Sequence, residues 1–270
     1  MNRSDPRGRV AEHHRAGSGI ARIGYPIEVR TATVARRERL TPNLLRLTLG
    51  GPGLAGFHSY QCDDHVKIVF PDADGTLRAP VPGEHQELDW PHPLPRTRKY
   101  TVRRYDEEAL ELDLDFVLHP GGLASAWADG VEIGADVTVA GPPGAKAFPH
   151  NYDHYLFAVD ATALPAFARW LEDAPPGVSA HVVIETDDAA DHAYPLAGRD
   201  GVTIEWLTHG GGGSALAETV ASLPRPDGAR TFLFAAGEAD AIKPLRAWSK
   251  GRADALFTGY WKRGVAGFDD

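Results

Sequence analysis

The hydrophobic pattern of this chain changes period at Pro149, and that change limits what it can fold into. From Pro26 to about Pro149 the apolar residues come in short alternating runs. Leu45, Leu47 and Leu49 alternate with Arg46 and Thr48, residues 66–70 and 98–104 are of strand length, and 110–118 sets leucine and phenylalanine against Glu111, Asp113 and Asp115. Val131, Ile133, Val137 and Val139 complete the set, and the proline-rich stretch 71–95 reads as a long surface connection. Short antiparallel strands with one apolar face bury it by closing on themselves, so a small β-barrel is expected. After Pro149, apolar strands at 155–159, 181–184, 202–207, 231–236 and 256–260 are separated by helical patterns at 164–171, 214–223 and 239–248. That order predicts a parallel sheet with ligands at its carboxyl ends.

A chain of 270 residues accommodates both halves as separate cores. The expected organisation is a flexible tail over 1–24, a barrel domain over 25–150 and an α/β domain over 151–270. A formal charge of -9 disfavours broad binding to nucleic acid or an anionic membrane. The single cysteine, Cys62, excludes an intramolecular disulfide and any all-cysteine metal or iron–sulfur site within one chain, which fits a reducing, cytoplasmic compartment. Residues 1–24 lack the apolar stretch of a secretory signal, and no run is long enough to span a bilayer. His150 and His154 stand four apart near Asp153, but Pro149 precedes them and a strand follows, so no metal site is assigned.

Two segments carry chemistry. In Arg98-Lys99-Tyr100-Thr101-Val102-Arg103, alternation puts Arg98 and Tyr100 on one face and Lys99 and Thr101 on the other. An aromatic next to a hydroxyl suits a flavin, and arginine suits a pyrophosphate. The second segment runs from His119-Pro120-Gly121-Gly122 through Ala124 and Ser125 to Trp127, following the clearest strand and opening a helix, where backbone amides and a hydroxyl attract a diphosphate. The α/β half lacks a Gly-x-Gly-x-x-Gly fingerprint, and its glycine run 209–214 reads as a surface loop.

Taken in order with Asp64-His65-Val66-Lys67, Gly141-Pro142-Pro143-Gly144, Asp160-Ala161-Thr162-Ala163-Leu164-Pro165-Ala166, Ala236-Gly237-Glu238-Ala239 and Gly259-Tyr260-Trp261-Lys262-Arg263-Gly264, these segments resemble the siderophore-interacting proteins, or ferric-siderophore reductases. The resemblance runs along most of the chain. It implies a six-stranded antiparallel FAD-binding barrel followed by a parallel-sheet NAD(P)H-binding-like domain of the ferredoxin-reductase type. It assigns Arg98, Tyr100, Thr101, His119, Gly122, Ala124, Ser125, Asp160, Thr162, Ala163 and Trp261 to FAD. Lys67, Lys262 and Arg263 fall to an anionic ferric siderophore, with Lys146 standing in for an arginine that relatives often carry where this chain has Pro143. No nucleophile or general base is required. The implied donor is NADH, NADPH or ferredoxin, with acidic Glu185, Asp187 and Asp188 leaning toward NADH, and a monomer suffices. The alternatives are a general flavin or quinone reductase of the same fold and a ferric-siderophore-binding protein without redox work.

Overall fold

The computed structural model describes residues 3–84, 87–209, 213–224, 226 and 228–268, and the chain divides into two units. The first is dominated by Ala21–Leu40 and Leu44–Ala147, the second by the chain from Phe148 onward together with Thr41–Asn43. Its elements up to that point are α1 (Pro6–Ala16), β1 (Ala21–Gly24), β2 (Val29–Thr41), β3 (Leu44–Gly50), β4 (His65–Phe70), β5 (Val81–Pro82), β6 (Leu88–Asp89), β7 (Arg96–Asp106), β8 (Glu111–Val117), α2 (Leu123–Gly130), β9 (Asp136–Ala140) and β10 (Gly144–Ala147).

Six strands close into the expected barrel in the order β2-β3-β8-β7-β4-β9. The β3/β8 register shows how alternation builds it: Leu45, Leu47 and Leu49 pair with Phe116, Leu114 and Leu112, all buried in one core. Burying each such side chain contributes about 2 kcal/mol. On the opposite face Arg46 grips Asp115 through two bonds of 2.7 and 2.8 Å, and the Thr48 hydroxyl donates to Asp113 at 2.7 Å.

Three sequence expectations need correction here. Residues 1–24, read as a flexible tail, contain α1 and β1: β1 pairs with β10, and Val10 joins Ile23, Tyr25, Ala145 and Ala147 in a small core of its own. Val131 and Ile133 are not strand. They lie in the turn after α2, where Ile133 is 67% exposed, and β9 begins only at Asp136. The 13-residue β2 was not expected at all, because its inward positions are Ala32 and Val34 and its other side chains are largely threonine and arginine.

The second unit contains β11 (His154–Asp160), α3 (Leu164–Asp173), β12 (Ala180–Thr186), β13 (Val202–Thr208), α4 (Leu216–Ser222), β14 (Thr231–Glu238), α5 (Ala239–Ile242), α6 (Pro244–Trp248) and β15 (Asp254–Trp261). Its five strands are all parallel in the order β13-β12-β11-β14-β15. Aromatics Tyr155, Phe157, Phe167 and Trp170 pack the α3 face, and Leu156, Val183, Leu216, Val220, Leu233, Ile242 and Leu245 pack the other. Burial on both faces explains why β11 and β14 read as unbroken apolar runs. The helix expected over 239–248 is split at Lys243, because Pro244 has no N–H to continue it. Strand order reverses between β11 and β14, the position at which open parallel sheets hold ligands beyond their carboxyl ends. No helix among the described residues is long and apolar enough to cross a membrane.

Candidate functional site

In the barrel unit, β7 carries Arg98, Tyr100 and Thr101 and pairs with β4 in the register His65–Thr101, Val66–Tyr100, Lys67–Lys99 and Ile68–Arg98. Tyr100 is half-buried, with its ring 4.1 Å from that of Phe116, and burial pushes its phenol up, so the hydroxyl stays protonated. Thr101 is buried, and half-buried Arg98 donates to the Thr97 carbonyl at 2.7 Å.

Strand β8 leads through the 119–122 turn into α2. The Ser125 hydroxyl accepts from the His119 N–H at 2.7 Å and pins the turn, leaving its own hydrogen to donate elsewhere. Gly122 occupies the N-cap, and no side chain among the described residues caps the helix. A Cβ at Gly122 would lie 2.4 Å from the imidazole of exposed His119, so the glycine lets that ring fold over the turn. The first-turn amides of Leu123, Ala124 and Ser125 therefore form an uncapped donor set, which a diphosphate satisfies. With Arg98 as the cation, Tyr100 as the aromatic and Thr101 as the hydroxyl, these residues fit FAD.

In the second unit the node is Asp160, at the end of β11. Its Oδ1 accepts from the Thr162 N–H at 2.8 Å and the Thr162 hydroxyl at 2.6 Å, and its Oδ2 accepts from the Glu238 N–H at 2.8 Å and the Trp261 indole at 2.7 Å. One carboxylate thus ties the carboxyl ends of β11, β14 and β15 together at the switch point. Burial pushes the Asp160 carboxyl up, against the pull of the bonds from Thr162, Trp261 and Glu238. Gly237, at φ +144, leaves room for it: a Cβ there would come within 2.5 Å of the carboxylate. Glu238 in turn caps α5 by accepting from the Ala241 N–H at 2.7 Å and receives the Arg263 N–H at 3.1 Å. The Arg263 guanidinium lies 5.4 Å over the Trp261 ring, Lys262 is paired with Asp240 at 3.2 Å, and Ala163 is wholly buried. Sequence reasoning missed the roles of Gly237 and Glu238, although the Gly-Glu pair ending an apolar strand was a signal.

Of the basic residues assigned to substrate, Lys67 and Lys146 belong to the barrel unit and Lys262 and Arg263 to the other. The Lys67 ammonium lies 5.4 Å from the centroid of Trp90, and Lys146 stands opposite Arg22 in the β1/β10 pair. His65 is held down to about 4 by burial first and then by the fields of Lys99, Lys146 and Lys67. His150 is pushed to about 3, again chiefly by burial. Both imidazoles stay neutral in the fold at pH values where an unfolded histidine, at 6.5, binds a proton. The unfolded state then holds more protons, so stability falls as pH drops from 6.5 toward 4. Melting at pH 5 is expected roughly 5 °C below that at pH 7.5, and His65→Gln should flatten part of that slope in a calorimetric pH series.

Two of the three acidic residues that leaned toward NADH are committed elsewhere: Glu185 accepts from the Ala215 N–H at 2.9 Å and Asp188 caps the 189–193 turn through the Ala190 N–H at 2.9 Å. Asp187 is exposed, 3.9 Å from His209. In the glycine run 209–214, residues 210–212 lie outside the described residues.

Comparison with known proteins places these two halves. Residues 33–146 match the family model for a siderophore-interacting FAD-binding domain, and residues 152–264 match that for siderophore-interacting protein. An Escherichia coli K12 protein named NADPH-dependent ferric-chelate reductase is 36% identical over 230 residues, 83% of this chain and 87% of that one. The Vibrio cholerae protein named ferric vibriobactin reductase ViuB is 34% identical over 253 residues, 89% of this chain and 90% of that one. The crystal structure of a siderophore utilization protein from T. fusca superposes with a TM-score of 0.85 at 36% identity, covering 93% of this chain and 98% of that one.

Proposed function

This chain belongs to the siderophore-interacting protein family, and from that premise we propose that it is an FAD-dependent ferric-siderophore reductase that passes electrons from NADPH to chelated iron in the cytoplasm. The observation that carries the reading is the uncapped start of α2 together with the Arg98–Thr101 segment of β7, both within the stretch that matches an FAD-binding domain. In this reading residues 25–150 form the FAD-binding domain and 151–270 the reductase domain.

Each residue has a physical task. The α2 amides and Arg98 neutralise the pyrophosphate, Tyr100 offers a ring face and Thr101 a hydroxyl. Asp160 fixes the Trp261 indole, and Thr162 is held by the same carboxylate. Bound FAD would supply the passage from a two-electron hydride donor to one-electron acceptors. Overall, one NADPH yields NADP+, one proton and two electrons, and two ferric ions each take one. Ferric iron binds hard oxygen chelators too tightly to leave unaided, and the ferrous ion matches them less well, so reduction is the release step. NADPH is favoured over NADH by the name of the E. coli relative and by the engagement of Glu185 and Asp188 within their own unit.

The test is the visible spectrum of the purified protein under anaerobic conditions. A flavin band is expected to bleach with NADPH and to recover when a ferric siderophore is added, as a trapped ferrous complex appears. A protein that remains colourless after incubation with FAD refutes the reading. A flavin band that bleaches with neither NADPH nor NADH moves the donor to a reduced ferredoxin.

A further inference from the structure

Between Ala180 and Ser222 the chain holds no lysine and one arginine, Arg199, whose guanidinium is committed to the carbonyls of Leu171 and Ala174. That scarcity falls where a dinucleotide is told apart from its phosphorylated form. In nucleotide-binding folds built on a parallel sheet, an acid beyond the first crossover accepts the ribose 2′-hydroxyl of NADH, and an arginine near it meets the 2′-phosphate of NADPH. Here the crossover from β11 through α3 leads to the end of β12, and β13 runs on beside it, with the His209 N–H donating to the Thr186 carbonyl at 2.7 Å. Exposed Asp187 stands at this end, its carboxylate 3.9 Å from the Nδ1 of half-buried His209. The other acids around the pair have partners of their own or lie out in solvent. Glu185 accepts from the Ala215 N–H, Asp188 from the Ala190 N–H, and Asp191 from the Thr41 hydroxyl and the Asn43 amide, while Glu205 on β13 and Glu218 on α4 are exposed. On the other side of β13, His192 stacks on Trp206 at 4.8 Å and reaches the Thr208 hydroxyl at 3.3 Å.

Resting on the NADPH reading above, we propose that Asp187 and His209 are specificity-determining residues that read the donor's 2′ position through the proton on His209. With the imidazole charged, the pair is neutral overall and His209 supplies the cation for a 2′-phosphate, so NADPH is preferred. With the imidazole neutral, Asp187 stands alone, repels a 2′-phosphate and accepts from a 2′-hydroxyl, so NADH gains. Imidazole changes charge within about pH 5–8, and the preference therefore moves with pH in a way that an arginine, charged throughout, does not reproduce. His192 is bonded to Thr208 and stacked on Trp206, which makes it the comparison residue.

The experiment is calorimetric titration of the FAD-loaded protein with 2′,5′-ADP and with 5′-AMP, which lacks the 2′-phosphate, at pH 6.5 and pH 8.5. Loading with FAD keeps the fragments out of the flavin site. Binding of 2′,5′-ADP is expected to weaken about tenfold from the lower to the higher pH, and that of 5′-AMP to change little. The phosphate itself gains charge above about pH 6, so a site built on a permanent cation would move the opposite way. His209→Leu should flatten the slope at the weaker value, His209→Arg should hold the tighter value at both pH values, and His192→Phe, which keeps a ring on Trp206, should leave the slope in place. In steady state the NADPH/NADH ratio of KM should follow the same pattern with kcat unchanged. Unchanged melting temperature and flavin content certify the fold of each variant. A 2′,5′-ADP affinity that does not fall with pH in the wild type, or an unaltered slope in His209→Leu, overturns the proposal. Normal bleaching of the flavin by NADPH with such a result removes this proposal alone. The expected slope in a protein that neither NADPH nor NADH bleaches removes the donor from the reading above and leaves this one standing.

Discussion

Asp160→Ala is expected to cost about 3–5 kcal/mol of stability, read as a lower urea midpoint at unchanged slope. The carboxylate it removes accepts four hydrogen bonds, and its loss leaves the Thr162 and Glu238 amides, the Thr162 hydroxyl and the Trp261 indole facing an apolar gap. A buried donor without an acceptor costs about 1–3 kcal/mol, partly recovered where water enters. Asp160→Asn separates charge from shape. Its carbonyl oxygen can still serve Thr162, but its amide would point donors at the Glu238 and Trp261 N–H groups, so an intermediate loss is expected. Gly237→Ala should reach the same node from the other side, because its Cβ would intrude to 2.5 Å from the carboxylate at a φ of +144 that alanine rarely adopts. Effects on one node do not add, so the double variant Asp160→Ala with Gly237→Ala should lose less than the sum of the two. Full additivity, or an Asp160→Ala loss under about 1 kcal/mol, would show that Asp160 does not hold the three strand ends.

What the sequence disclosed follows from how local each signal was. Strand β8 was legible because its leucines and aspartates alternate without interruption and need no neighbour to be interpreted. The apolar runs of β11 and β14 were legible because a strand covered on both faces has no polar side to disguise it. Strand β2 was hidden, since its inward positions hold Ala32 and Val34 and its arginines find partners far along the chain, Arg36 on Glu111 and Arg39 on Asp129. β1 and β10 are four residues each and gain meaning only from pairing with one another. Asp160 stood out as part of a motif, but its task depends on residues 78 and 101 positions away and is visible only once β14 and β15 lie beside β11. Lys99 was counted as an alternating polar residue, and the register that sets it against Lys67 is not written in either segment alone.

Arg98→Ala is expected to weaken FAD binding about a hundredfold and to yield a protein that loses its yellow colour on gel filtration. In the proposed site the pyrophosphate is met by the uncapped amides of α2 and by one guanidinium, and a charge-assisted bond to phosphate in a half-buried setting is worth about 2–3 kcal/mol. Among the described residues half-buried Arg98 bonds only locally, to the carbonyl of Thr97, so its removal should leave the barrel intact. Gly122→Ala probes the other contributor: its Cβ would displace the exposed His119 imidazole from its place over the turn that Ser125 pins, next to the amides that follow. A ligand that binds the native state raises the melting temperature in proportion to the logarithm of its concentration over Kd. Added FAD should therefore stabilise the wild type strongly, and Arg98→Ala only at concentrations about a hundredfold higher. Two results are informative in opposite directions. If Arg98→Ala keeps wild-type affinity while Gly122→Ala loses it, the helix start alone holds the diphosphate and the assignment of Arg98 fails. If both keep it, the cofactor lies elsewhere on the chain and the proposed FAD site fails with them.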